Sequence, residues 1–307
     1  GPDAGRYLFT VFETGQAGIQ RTDLRTMITT TIWQSPAAAP ALNSHVAFDA
    51  SRWTPWGSFL TAEESWNDVG QSVSIYGRLF EVTNPLADPA SINFVHRNIL
   101  PRVSHEGLAF DKKNNLYFID ERNGGNIYRY TSKKPNAKSG DDYFAAGQTF
   151  VLRVGDGTVT EATGAATWIP LTDVDGAPLP GAVVVTDPNG LTAIDGRATV
   201  NLPAFRGSDY DRPEDMEIKT LKNGGQRLFV ATTTNHKVFS IDLHTDTVKL
   251  FVSRDTVDAA TGLPVGSPFT NPDNLAIDAD GNIYVVEDQP GGLQDTWFAT
   301  DEDDDGV

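Results

Sequence analysis

A short unit recurs three times along the chain and constrains its fold more than any other feature. It reads His105-Glu106-Gly107-Leu108-Ala109-Phe110-Asp111, then Pro213-Glu214-Asp215-Met216-Glu217-Ile218, then Pro272-Asp273-Asn274-Leu275-Ala276-Ile277-Asp278. Glu106, Glu214 and Asp273 fall in register. Each copy is followed by a turn and a second apolar run, at 116–119, 228–231 and 283–286. Third runs follow at 77–82, 126–130 and 236–241, and a fainter fourth at 248–252. Further strands are expected at 7–12, 58–62, 74–82, 150–154 and 237–243, because short β-branched and aromatic runs lie between Gly, Asn, Asp and Pro turns. No long segment has a helical apolar period. Three or four short strands per unit, repeated at roughly 40–60 residues, predict an all-β propeller.

The 307 residues suit one large all-β domain over 1–307. Exposed insertions are expected around 133–147 and 172–190, which are rich in Pro, Gly and Asp. The long interval between Glu106 and Glu214 leaves room for an intervening blade, with 150–171 and the residues beyond it as its candidate. Gly1-Pro2 reads as a protease scar or as the trimmed edge of a longer chain. The run Asp301 to Val307 stops in mid-pattern, so the native polypeptide is expected to continue.

Charge sets the partners. The chain has 41 acidic and 24 basic residues, a formal net charge of -17, and no Lys/Arg cluster. Nucleic acid and anionic membrane are therefore poor partners, and divalent cations are natural ones. The absence of cysteine excludes disulfides, thiolate ligands and a cysteine nucleophile. No apolar stretch approaches the ~18 residues that span a bilayer. No G-x-S-x-G elbow, Walker loop or G-x-G-x-x-G is present.

The inner strand of each propeller blade lines the central channel, so Glu106, Glu214 and Asp273 are expected to converge there. Uncompensated carboxylates at close range repel and call for a cation or protons. Oxygen-only donors favour Ca2+, with Mn2+ or Fe3+ as alternatives. The same acids also suit turns, where they accept backbone N–H bonds.

A second set, Glu63-Glu64, Asp120-Glu121 and Glu287-Asp288, ends the second strand of its blades. Only one residue of each pair can face a shared site, and solvated turn residues are the competing reading. Arg212 stands beside Glu214, where it either grips a phosphate bidentately or neutralises the acid. His105 is a ligand, a proton carrier or a structural residue; His45, His96, His236 and His244 have no metal spacing. Asp301-x-Asp303-x-Asp305-Gly306 matches the first half of a calcium loop.

The segment Trp53-Thr54-Pro55-Trp56-Gly57-Ser58-Phe59-Leu60-Thr61-Ala62-Glu63-Glu64 resembles the T-P-W-G-T-x-L-T-C-E-E segment of the PhoX-type alkaline phosphatases. Ser104-His105-Glu106-Gly107, Arg212-Pro213-Glu214-Asp215 and Asn271-Pro272-Asp273-Asn274-Leu275 resemble that family's H-E-G, R-P-E-D and P-D-N-L motifs, in the same order. The resemblance implies a six-bladed propeller, exported from the cytoplasm. It would hydrolyse small phosphate monoesters at iron and calcium ions held mainly by carboxylates. The implied ligands are Glu106, Glu214 and Asp273, with Asp49, Glu63, Glu64 and Glu287 as further candidates, and Arg212 orients the phosphate.

The family's iron-binding cysteine, a few residues before T-P-W-G, has no counterpart. Asp49 lies near that position and offers oxygen instead, and Ala62 replaces the cysteine of L-T-C-E-E. The P-D-N-L unit also occurs in gluconolactonase-like propellers, so a calcium-dependent lactonase is an alternative. A non-catalytic, calcium-stabilised surface-assembly protein is another. Oligomeric state is left open.

Overall fold

The structure, a computed structural model, describes residues 5–36, 45–66, 76–187 and 190–307. Gly1-Pro2, the start of the strand expected at 74–82 and two residues of the 172–190 insertion lie outside the described residues. The chain divides into two compact units, Gly1–Glu106 with Thr131–Thr149 and Thr172–Thr199, and Gly107–Tyr130 with Phe150–Leu171 and Val200–Val307. Both expected insertions fall in the first unit.

Strands β1 (Tyr7–Val11), β2 (Gly18–Asp23) and β3 (Ile28–Gln34) form an antiparallel sheet. A four-stranded antiparallel meander follows, of β4 (Phe48–Trp53), β5 (Phe59–Glu63), β6 (Leu79–Val82) and β7 (Phe94–His96). Next come β8 (Leu108–Phe110), β9 (Leu116–Ile119), β10 (Asn123–Gly125), β11 (Ile127–Ser132), β12 (Gly147–Val154) and β13 (Gly164–Pro170). A hairpin of β14 (Val184–Thr186) and β15 (Thr192–Ile194) precedes β16 (Tyr210–Asp211). Of these, β8, β9, β11 and β12 are neighbours in that order, and a further four-stranded meander is β17 (Pro213–Thr220), β18 (Gln226–Thr232), β19 (Lys237–Asp242) and β20 (Thr247–Val252). The last sheet is β21 (Pro272–Ile277), β22 (Ile283–Glu287) and β23 (Thr296–Ala299). This is the repeated antiparallel unit that the sequence predicts.

The 150–171 stretch corrects one expectation. It is not an intervening blade: β12 follows β11 as an outer strand, and β13 pairs both with β12 and, through Gly164 and Ala165, with β20. Part of the long interval, Thr131–Thr149 and Thr172–Thr199, belongs to the first unit.

Burial follows strand position. Central strand β5 is buried at every residue, as is β9, because both faces of a blade pack against apolar surface. Phe48, Phe59, Phe80 and Val82 form the first unit's core with Ile19 and Ile32. In the second unit Ile119, Leu228, Val230, Phe239 and Ile241 form one cluster, and Phe229, Phe251, Leu275 and Val285 another.

The repeat is reproduced atom by atom in the hairpin turns. Asp111 Oδ1 accepts the N–H of Lys113 and Asn115, while Oδ2 accepts Asn115 Nδ2 and the Tyr117 hydroxyl. Asp278 takes the same bonds from Asp280, Asn282 and Tyr284. Asn114 (φ 59°) and Gly281 (φ 83°) occupy the same left-handed position, which Asn and Gly accept with least strain.

His96, at the end of β7, gives the first unit a pH response. Burial, with Arg102 and Arg78 nearby, holds its imidazole down to about 3. The unfolded chain then binds a proton below about 6.5 that the folded chain refuses. Stability is therefore full above that value and is lost as pH falls towards 3, by at most ~1.4 kcal/mol per pH unit. Urea unfolding at pH 7.5 and pH 5 should show this loss, and His96→Gln should reduce the pH slope. An unchanged slope in that variant would remove His96 as its source.

Candidate metal centre

The inner strands share an entry geometry that places an acid at a fixed point. Ala47, Arg212 and Asn271 all take positive φ, at 44°, 53° and 43°. Each lies two residues before an acid: Asp49, Glu214 and Asp273. Non-glycine residues adopt this region at a cost, and such strain concentrates at functional sites. The carbonyl of each accepts an N–H from the residue just past its blade's second strand: Glu64 to Ala47 (2.8 Å), Thr233 to Arg212 (3.0 Å) and Asp288 to Asn271 (3.0 Å).

Pairing with the second strand then slips between Phe48 and Ser51, between Pro213 and Met216, and between Pro272 and Leu275. The acid is the first of the two residues inside each bulge. Bulges re-aim side chains, often beside active sites. Asp49 is thereby in the same structural register as Glu214 and Asp273. Sequence reading missed this because Phe48-Asp49-Ala50 shares only the acid with the other copies.

In the second unit a carboxylate oxygen of Glu214 and one of Asp273 lie within 4.8 Å of each other. Glu214 is buried. Asp215 joins the two inner strands, since its Oδ2 accepts the Leu275 N–H at 3.0 Å. Gly107 approaches closely: its N–H donates to Glu214 O at 3.1 Å, and a Cβ there would stand 2.8 Å from that oxygen. Glu106 is the residue bonded to Gly107, and it too is buried. Arg212 Nε lies 2.6 Å from Glu121 Oε1 and 3.1 Å from Glu214 Oε1, while 46% of its side chain stays exposed. Arg212 thus does neutralise Glu214 and still reaches solvent.

The first unit holds a second group, in which carboxylate oxygens of Glu13, Asp49 and Glu64 lie within 4.8 Å of one another. Backbone bonds assemble it: Phe48 N–H donates to Phe12 O, Ala47 N–H to Thr14 O, and Glu64 N–H to Ala47 O. Glu13 was not expected as a site residue. Its one sequence signal is that 7–13 is a weak copy of the strand ending in Glu63-Glu64.

Other expected residues are engaged with the protein. Glu63 is fully buried, and Arg78 grips it at 2.6 and 2.9 Å while the N–H groups of Arg78 and Val46 also donate to it. Glu287 accepts from Thr270 N, Trp297 Nε1, Gln289 Nε2 and Asp295 N. These two equivalent positions lock the start of an inner strand. His105 is wholly buried, and that burial holds its ring down to about 3. Asp301, Asp303 and Asp305 do cluster. Asp301, however, is paired with Arg227 at 3.0 Å, and Asp303 and Asp305 accept N–H bonds from Asp305 and Val307 within the run. The first position of the expected calcium loop is therefore held by arginine.

Comparisons with known proteins bear on the family and the fold. The family model of alkaline phosphatase PhoX matches residues 50–304. A comparison with curated proteins gives no match. Among solved structures, Pseudomonas fluorescens PhoX in complex with vanadate, a transition state analogue, is similar with a TM-score of 0.56 at 18% identity, over 92% of this chain and 68% of that one. The soluble aldose sugar dehydrogenase of Escherichia coli, in its apo form, gives a TM-score of 0.43 at 14% identity, over 94% and 77%. A luciferin-regenerating enzyme gives 0.42 at 10%, over 90% and 69%. The first likeness shows a β-propeller, as the repeat predicts. With most of its length matched by the family model, the chain belongs to the PhoX alkaline phosphatase family.

Proposed function

We propose that the chain is an exported, metal-dependent phosphate monoester hydrolase on a six-bladed propeller. The observation that carries this reading is the recurrence of one strained, bulged strand entry that sets Asp49, Glu214 and Asp273 in equivalent places, in a chain of a phosphatase family.

The donor chemistry fits hard cations. Every candidate ligand is a carboxylate, and Ala62, where the family has a cysteine, is a buried methyl group with no donor. Glu214 and Asp273 would hold one ion, and Glu13, Asp49 and Glu64 a second, with Ca2+, Mn2+ or Fe3+ as the ions that oxygen donors accept. A bound cation supplies Lewis acidity and neutralises phosphate charge. Arg212, half exposed and anchored by Glu121, orients phosphate oxygens beside Glu214. Asp215 keeps the strands of Glu214 and Asp273 together.

Hydrolysis of a chromogenic phosphate ester tests the reading. Activity is expected in the metal-loaded protein, lost on chelation, restored by one of the three cations and inhibited by vanadate. A metal-loaded protein inactive on the ester would overturn it. Activity on a lactone would then favour the lactonase. Inactivity on both, with chelator still lowering the melting temperature, would favour the non-catalytic calcium protein.

A further inference from the structure

Each strained entry must also place its own N–H. Ala47 donates to Thr14 O at 2.8 Å and Arg212 to Arg122 O at 2.9 Å, both main-chain acceptors. Asn271 differs: its N–H donates to a side chain, Nδ1 of His236, at 2.9 Å. His236 ends the four-residue loop between β18 and β19 with φ 54°, and its own N–H reaches Thr233 O at 3.2 Å. An amide N–H can only donate, so Nδ1 carries no proton and the ring's proton sits on Nε2. Thr270 Oγ1 stands 3.4 Å from the same nitrogen, and the Thr270 N–H is held by Glu287 Oε1 at 2.8 Å. Two side chains, Glu287 and His236, thus fix the two residues that precede Pro272-Asp273.

We propose that His236 is a positioning residue for the cation site, acting as the acceptor that keeps Asn271 at positive φ and so aims Asp273. The proposal rests on the reading of Glu214 and Asp273 as cation ligands. It assigns to an imidazole the task that main-chain carbonyls perform at the two equivalent entries. A carbonyl survives any substitution at its residue, whereas the imidazole does not, so this is the entry at which a single side-chain change releases the strained residue. Once released, Asn271 relaxes and the carboxylate two residues on loses its fixed direction.

Calorimetric titration of Mn2+ into the metal-free full chain tests this with three variants. His236→Gly removes the acceptor without straining the loop. His236→Asn places an amide oxygen where Nδ1 stood and tolerates the left-handed region. Glu214→Gln reports on the site itself. The glycine variant should bind about 10- to 100-fold more weakly, the range for partners behind a ligand. The asparagine variant should stay within about threefold of wild type. Wild-type affinity in His236→Gly, or equal losses in the glycine and asparagine variants, would overturn the role of His236 alone. If the wild type binds no cation, or Glu214→Gln binds as well as wild type, the ligand assignment fails and this proposal with it. Should the glycine variant not fold, His236→Ser, too short to reach Asn271, replaces it with the same expected loss.

Discussion

Replacing Glu214 with glutamine should lower cation affinity by at least ~100-fold, beyond the effect of outer-shell partners, and should abolish metal-dependent ester hydrolysis. The change preserves shape and removes one charge from a buried position. Little else should move. Arg212 keeps Glu121 at 2.6 Å, and Gly107 is bonded to the main-chain oxygen of residue 214, which the substitution leaves in place. The metal-free variant loses the repulsion from Asp273, whose carboxylate approaches within 4.8 Å, and also the ion pair with Arg212 at 3.1 Å; the two oppose, so it should melt close to the metal-free wild type. Calorimetric titration and a thermal melt measure both. Undiminished affinity and activity would remove Glu214 from the site.

How much of this was legible in the sequence differs between pattern and geometry. The strands were legible because apolar runs alternate with Asn, Asp and Gly turns, and the turn at Asp278 repeats the one at Asp111 bond for bond. Glu214 and Asp273 were legible because proline precedes each and fixes the register by eye. Asp49 was named only through its nearness to the family's missing cysteine; its shared register was not legible, because its bulge is set by pairing with β5 and by the backbone at Ala47, and neither leaves a residue signature. Glu13 needed three main-chain bonds between distant segments to reach Asp49 and Glu64. The roles of Glu63 and Glu287 were obscured for a related reason. An acid at a strand end looks the same in sequence whether it faces a cation or a ring of N–H donors. Only the third strand, bringing Arg78, and the distant Trp297 decide it.

The pair formed by Arg78 and Glu63 gives the largest expected effect on stability. Both side chains are buried, at 6% and 0% exposure, with Nη2 to Oε1 at 2.6 Å and Nε to Oε2 at 2.9 Å. Arg78→Met leaves a buried carboxylate with only main-chain donors, a loss of about 3–5 kcal/mol and on the order of 10 °C in melting temperature. Burial already holds the Glu63 carboxyl above the ordinary carboxylate range. A carboxyl whose folded value is raised favours folding below its unfolded value, and that contribution is lost as pH rises through the folded one. Without the arginine the rise is larger, so the variant should be weakest at neutral pH and above and should recover in part as pH falls. Adding Glu63→Gln to Arg78→Met removes the stranded charge while keeping acceptors for the N–H groups of Val46 and residue 78, and it should restore most of the stability. Neither effect should depend on chelator, because Glu63 already has a cation of the protein's own. Weaker Mn2+ binding in Glu63→Gln alone would instead return that residue to the ligand set.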